Sequence, residues 1–231
     1  MKKSISYFSM FLLSGLTLIG CKKTDDEKTL NYKFSVVSKV SNIGSTNTNP
    51  AVSGANTLTW EYGYLNLTEF KFEAQKNDEQ IKFSYKANQP TKVDFFIPEQ
   101  IIGGVSIPAG IYKKVEVKVE IKQVPPTAAI FLKGTFTTNG GAKVPVELSL
   151  TENNDEMEFG IKAKDLEVGT KNTYTGVIKL HLDVLMQGIT SAELDKATRT
   201  PNNVIVINKE SNVKIYEKIK NNIGNLTEVE F

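Results

Sequence analysis

Valine and isoleucine occupy every second position from Val115 to Ile121, interleaved with Glu116, Lys118, Glu120 and Lys122. Side chains of an extended strand point alternately to its two faces, so this segment has one buried face and one charged face. That is the pattern of an antiparallel sheet covered on one side. The same period recurs at Ile81, Phe83 and Tyr85, at Val144, Val146, Leu148 and Leu150, at Phe159, Ile161 and Ala163, and at Ile178, Leu180, Leu182 and Val184. Val93, Phe95 and Ile97 keep it with Phe96 as an exception, and Ile130 to Phe136 reads as a further strand. Asn139-Gly140-Gly141 and Asn153-Asn154-Asp155 supply turns between them. Ile101-Ile102-Gly103-Gly104-Val105 also reads as a turn, since its glycines lack the lysine and helix of a phosphate loop.

Closely spaced strands with little helix between them predict an all-β, mainly antiparallel fold, a β-sandwich of roughly 8 to 10 strands. A closed barrel is the alternative. The period changes only near the C-terminus, where two short helices are expected. Thr190-Ser191-Ala192-Glu193 has the form of a capping box. A second helix follows Asn212, with Val213, Tyr216, Ile219 and Ile223 on one face and Gly224 as its stop. Val204 to Ile207 reads as a short buried strand between them, and Leu226 to Phe231 as an edge strand. Ser41 to Asn56, rich in Ser, Asn, Thr and Gly, reads as a long surface loop.

One apolar run does not fit a sheet. Tyr7 to Ile19 follows the basic start Met1-Lys2-Lys3 and is too short for the roughly 20 residues of a bilayer span. It ends in Leu18-Ile19-Gly20-Cys21, which contains the only cysteine of the 231 residues. This segment reads as a cleaved signal peptide, residues 1–20. A small residue before a cysteine resembles the lipobox of bacterial lipoproteins. The resemblance implies that the Cys21 thiol is diacylated and that the chain is tethered to a membrane it does not cross. Lys22, Lys23, Asp25, Asp26 and Glu27 follow, and this acidic cluster resembles the export signal of Bacteroidota surface lipoproteins. The implied location is the outer membrane, on its outer face, with the periplasmic face as the competitor. Residues 21–30 then form a flexible tether and 31–231 a single sandwich domain.

Loss of the leader removes Lys2 and Lys3 and no acid, so 28 basic and 26 acidic residues come into formal balance. A balanced chain offers no general attraction for nucleic acid. Arg199 is its only arginine, which leaves little scope for bidentate clamps on phosphate or carboxylate. His181 is the only histidine and lies between Lys179 and Asp183 on the polar face of a strand. Without a second histidine or a free thiol, the usual zinc sets and histidine-dependent triads lack most of their parts. No carboxylate spacing marks a glycosidase pair. Asn153, Asp155 and Glu156 lack the spacing of a calcium loop. No catalytic residue, metal site or cofactor is therefore assigned.

The candidate for recognition is Trp60-Glu61-Tyr62-Gly63-Tyr64. On a regular strand Trp60, Tyr62 and Tyr64 share one face, which if exposed is a platform for a glycan or peptide. The alternative is a core row, because Leu58, Phe70 and Phe72 continue the even positions, with Gly63 marking a bulge. Ile107-Pro108-Ala109-Gly110-Ile111-Tyr112 resembles the Pro-Ala-Gly-x-Tyr turn of secreted β-sandwich domains, including Bacteroidota lipoproteins. These resemblances imply a non-catalytic surface lipoprotein, a binding or adhesion module for a glycan, a peptide or a partner protein. Bacteroidota fimbrial lipoproteins share the sandwich and the lipobox, so an anchor or tip subunit of a fimbria is the alternative. The absence of any arginine before Arg199 argues against a protease-matured shaft subunit. A hydrolase is the third class.

Overall fold

In the computed structural model, residues 27–44, 56–97, 101–138, 140–151, 156–169 and 173–231 are described. The leader, Cys21, Lys22, Lys23, Asp25, Asp26, Asn139 and the Asn153-Asn154-Asp155 turn lie outside them. The strands in chain order are β1 (Glu27–Ser38), β2 (Val40–Asn42), β3 (Thr57–Lys76), β4 (Glu79–Asp94), β5 (Ile101–Pro108), β6 (Gly110–Lys122) and β7 (Ile130–Thr137). There follow β8 (Lys143–Leu150), β9 (Glu156–Lys162), β10 (Leu166–Val168), β11 (Thr173–His181), β12 (Ile205–Ile207) and β13 (Thr227–Glu230). Two helices, α1 (Ser191–Asp195) and α2 (Val213–Asn222), lie between β11 and β13.

The fold is an all-β sandwich. One sheet has the order β13-β11-β1-β5, and the other is a nine-stranded sheet built on β3, with β6 and β7 along one side and β2 and β4 along the other. Pairing is antiparallel except for β1 with β11 and β12 with β8. The sheets meet through aromatic rings. Tyr32 of β1 stacks on Phe70 of β3 at 5.0 Å, and Phe34 tilts against the same ring at 6.3 Å. The alternating segments bury the expected face: Val115, Val117, Val119 and Ile121 are all within the core, as are Val144, Val146, Leu148 and Leu150. A space of about 20 Å³ between the sheets is lined by Phe34, Leu65, Leu132 and Leu180 among others. That is room for about one water, and its walls are apolar.

Both C-terminal helices form, but Val213 and Gly224 do not take the places expected of them. Thr190 accepts from the Glu193 amide, and the Glu193 carboxylate accepts from the Thr190 amide, completing the capping box of α1. Ile215, Tyr216, Ile219 and Ile223 face the core, whereas Val213 is exposed. Asn212 precedes α2 at φ 54, and the helix passes into a 3₁₀ turn, Ile223–Asn225, before Gly224 can stop it.

Several expectations need correction. Thirteen strands are present among the described residues, because three-residue strands such as β2 and β10 are too short to show a period. β1 begins at Glu27, with Leu30 fully buried, so the strand starts four residues before the boundary read at residue 31. The two ends of the expected loop from Ser41 to Asn56 belong to the sandwich: Ser41 lies in β2, and both Ser41 and Asn56 are buried. Gly103 and Gly104 lie within β5 rather than in a turn. A Cβ at Gly103 would stand 2.8 Å from the Tyr85 ring, so the glycine is set by a close approach between sheets. β4 ends at Asp94, and Ile97 is exposed beyond it.

Candidate functional site

The candidate site is built by β3, whose 20 residues serve two sets of neighbours. Its first half pairs with β7 and its second with β6, and two extra residues break its alternation. Trp60 opposes Gly134 and Tyr62 opposes Lys133, so Glu61 bulges out of register. A second break at Thr68 lies between Leu67 and Glu69. Each extra residue shifts the following side chains to the other face. Leu58 and Trp60 point inward, then Gly63, Leu65 and Leu67, then Phe70, Phe72 and Ala74. The two shifts cancel, which is why even positions are buried at both ends of the strand.

The Trp60, Tyr62, Tyr64 row is therefore not one face. Trp60 is fully buried, with its indole against Gly134, and its Nε1–H donates to the Leu182 carbonyl at 3.3 Å. As a ligand contact Trp60 is corrected to a core residue. Gly63 takes the inward position because a Cβ there would stand 2.5 Å from Leu132 and 2.6 Å from Phe95.

Tyr62 and Tyr64 remain on the outer face, where the structure adds residues the sequence did not single out. Tyr64 meets Tyr62 edge-on at 6.2 Å and Phe131 of β7 at 5.4 Å. The Lys92 Nζ lies over the Tyr64 ring at 4.2 Å, and the Lys133 Nζ over Phe131 at 5.5 Å. Tyr64, at the centre, is only 7% exposed, while Tyr62 and Phe131 are half-buried and form its accessible flanks. Burial pushes the Tyr64 phenol above its ordinary pKa, and Lys92 opposes the shift. Phe131 could have been found in the sequence: Ile130, Leu132 and Phe136 share the inward phase, which leaves one aromatic residue out of phase. Lys92 and Lys133 gave no such signal.

The ring cluster adjoins a charged surface on the same sheet. Glu73 lies between Lys118 at 2.9 Å and Lys82 at 3.1 Å, and these ammonium groups, Lys118 first, hold its carboxyl below the usual range. Lys71 bridges Glu120 and Glu158. His181 sits at the end of β11, its Nε2 3.3 Å from Glu228 Oε1, a half-buried strand residue on the polar face. Among the described residues no group of three or more His, Cys, Asp and Glu is placed to hold a metal. An open hollow of about 510 Å³ lies between α1 and the start of α2, lined by Glu193, Lys196, Asn212 and Val213 among others. Its one carboxylate, Glu193, is held in the capping box and by Lys218 at 2.6 Å. Glu27 opens β1, paired opposite Pro108. In the Pro-Ala-Gly-x-Tyr segment, Tyr112 is fully buried and its hydroxyl donates to the Pro108 carbonyl. No described helix is long and apolar enough to cross a membrane.

No family model and no curated protein matches the sequence. Among solved structures, MbnP from Methylosinus trichosporium is similar to this chain at 11% sequence identity and a TM-score of 0.37, over 70% of this chain and 77% of that one. Neither fold nor function is transferred from it.

Proposed function

We propose that this chain is a non-catalytic binding module, anchored by lipid on Cys21 at the outer membrane and displayed on the cell surface. The observation that carries the binding role is the outward cluster of Tyr62, Tyr64 and Phe131, with Lys92 over Tyr64 and Lys133 over Phe131. Aromatic residues on a solvent-facing sheet offer apolar faces with polar rims, the chemistry used to hold sugar rings and extended chains. The address rests on the sequence pattern at Gly20-Cys21 and on the acidic run that follows it. As a lipoprotein, the chain would incorporate radiolabelled palmitate in a diderm host, and a Cys21→Ser variant would not.

The test of binding uses the purified protein on an array of glycans and glycoproteins beside Tyr62→Ala and Phe131→Ala variants. These two rings are half-buried on the outer face, outside the core between the sheets, so their removal should leave the fold intact, as circular dichroism can check. We expect binding by the parent and at least a tenfold loss, about 1.4 kcal/mol, in each variant. Binding that survives both substitutions would remove the patch from the site.

A further inference from the structure

We propose that the ring patch takes a negatively charged glycan, whose sugar ring lies on Tyr62 and Phe131 and whose carboxylate or sulfate meets Lys92. This rests on the patch being the ligand face and adds the class of ligand. Three features of the surroundings select it.

The first is the state of Lys92. Its ammonium lies 4.2 Å from the centre of the Tyr64 ring and has no carboxylate at ion-pair distance among the described residues. Asp94 lies two positions along the same face, but its Oδ1 accepts from the Phe96 amide at 3.0 Å. A ring face orients a cation without neutralising it. Lys92 is thus a positioned positive charge beside two accessible rings, in contrast to the lysines of the neighbouring surface, which are shared among Glu73, Glu120 and Glu158. Lys133 provides a second cation, 5.5 Å from the Phe131 ring and 2.9 Å from Glu147.

The second is the backbone. At Tyr64 β3 is paired on both sides, opposite Asp94 of β4 and Phe131 of β7, and Phe131 in turn lies opposite Ser149 of β8, whereas Tyr62 has its ladder partner on the β7 side. At Tyr64 and Phe131 no main-chain edge is open for a peptide to add as a strand, so recognition there falls to side chains. The third is size. Each aromatic residue offers at most about 150–250 Å² even when fully exposed, and three partly covered rings fall short of the roughly 800 Å² per partner of a stable protein interface. A sugar ring with one anionic substituent matches a patch of two accessible rings, flanking Tyr64, and one cation.

The experiment measures affinity of the purified protein for polygalacturonate, dextran sulfate and neutral dextran, at low and high salt. Variants are Lys92→Gln, Lys92→Arg and Tyr62→Ala, with Lys214→Gln on the exposed side of α2 as a control lysine. We expect an anionic polymer to bind about tenfold or more tightly than dextran, Lys92→Gln to abolish that preference, and Lys92→Arg and Lys214→Gln to keep it. The polygalacturonate and dextran sulfate arms tell a carboxylate ligand from a sulfate one. Equal binding of dextran, or loss on Tyr62→Ala with no effect of Lys92→Gln, would overturn the anionic ligand and leave the patch as a site. Equal losses in Lys92→Gln and Lys214→Gln would reduce the effect to general charge and overturn it as well. No binding to any glycan by the folded protein would overturn both readings.

Discussion

Asn66 stands where β3 exchanges one neighbour for another. β6 leaves its side at Ile121 and β7 joins at Ile130, so the regular ladder is interrupted beside a buried stretch of backbone. The Asn66 side chain fills the gap: its Nδ2 donates to the Ala128 carbonyl at 2.8 Å and to Thr127 Oγ1 at 3.2 Å, while its amide donates to Ala129 at 3.0 Å. Asn66 is itself 4% exposed and its bond to the Ala128 carbonyl is buried, so that carbonyl has no other partner in reach among the described residues. An Asn66→Leu substitution keeps the branched shape and strands the Ala128 carbonyl, at a cost of about 1–3 kcal/mol. Urea unfolding should show that loss as a lower midpoint at unchanged slope. An unchanged midpoint would mean that the fork is held by packing alone. Nothing in the local pattern around Asn66 signals this role, because it depends on a junction with a segment about sixty positions away.

β3 shows at the scale of an element what a sequence does and does not disclose. Where one period runs unbroken, as in β6 and β8, the buried face is legible residue by residue, and the capping box of α1 is equally local. In β3 the aromatic positions are legible but their facing is not, because an extra residue at Glu61 inverts the phase and one at Thr68 restores it. Those breaks arise from pairing with two different strands, which no single strand's sequence contains. The outer ring cluster is assembled in the same way, from β3, β4 and β7, so the sequence shows two of its rings and neither of its lysines. Register therefore makes a sharp prediction. Deleting the exposed Glu61 leaves Trp60 inward and Tyr62 outward, since only the bulged residue is lost, and should cost no more than about 1–2 kcal/mol. Deleting Thr59 instead moves Trp60 to the outer face and should abolish the native fold. Trp60 is the only tryptophan, so its fluorescence reports the difference: emission should stay blue-shifted without Glu61 and move to the red without Thr59.

For the molecule as a whole the question is how firmly its last strand is held, since an assembly subunit that exchanges strands must release one. β13 is short and lies at the end of its sheet, paired with β11 through four residue pairs from Val177–Glu230 to Leu180–Thr227. Its grip on the core is larger than its length. Val229 is 8% exposed, the Phe231 ring meets Phe72 of the opposite sheet at 6.4 Å, and Lys179 of β11 pairs with Glu228 and Glu230. Removing residues 227–231 would expose buried apolar surface and the unpaired edge of β11, a template for another strand. From the valine and ring contacts we expect a loss of roughly 2–4 kcal/mol, read as a lower thermal midpoint, together with concentration-dependent association in sedimentation. Added peptide of sequence 226–231 should reverse both effects if the groove survives. A truncated protein that stays monomeric at an unchanged midpoint would show β13 to be loosely docked, and would shift weight from a binding module toward a subunit that gives up its final strand to a neighbour.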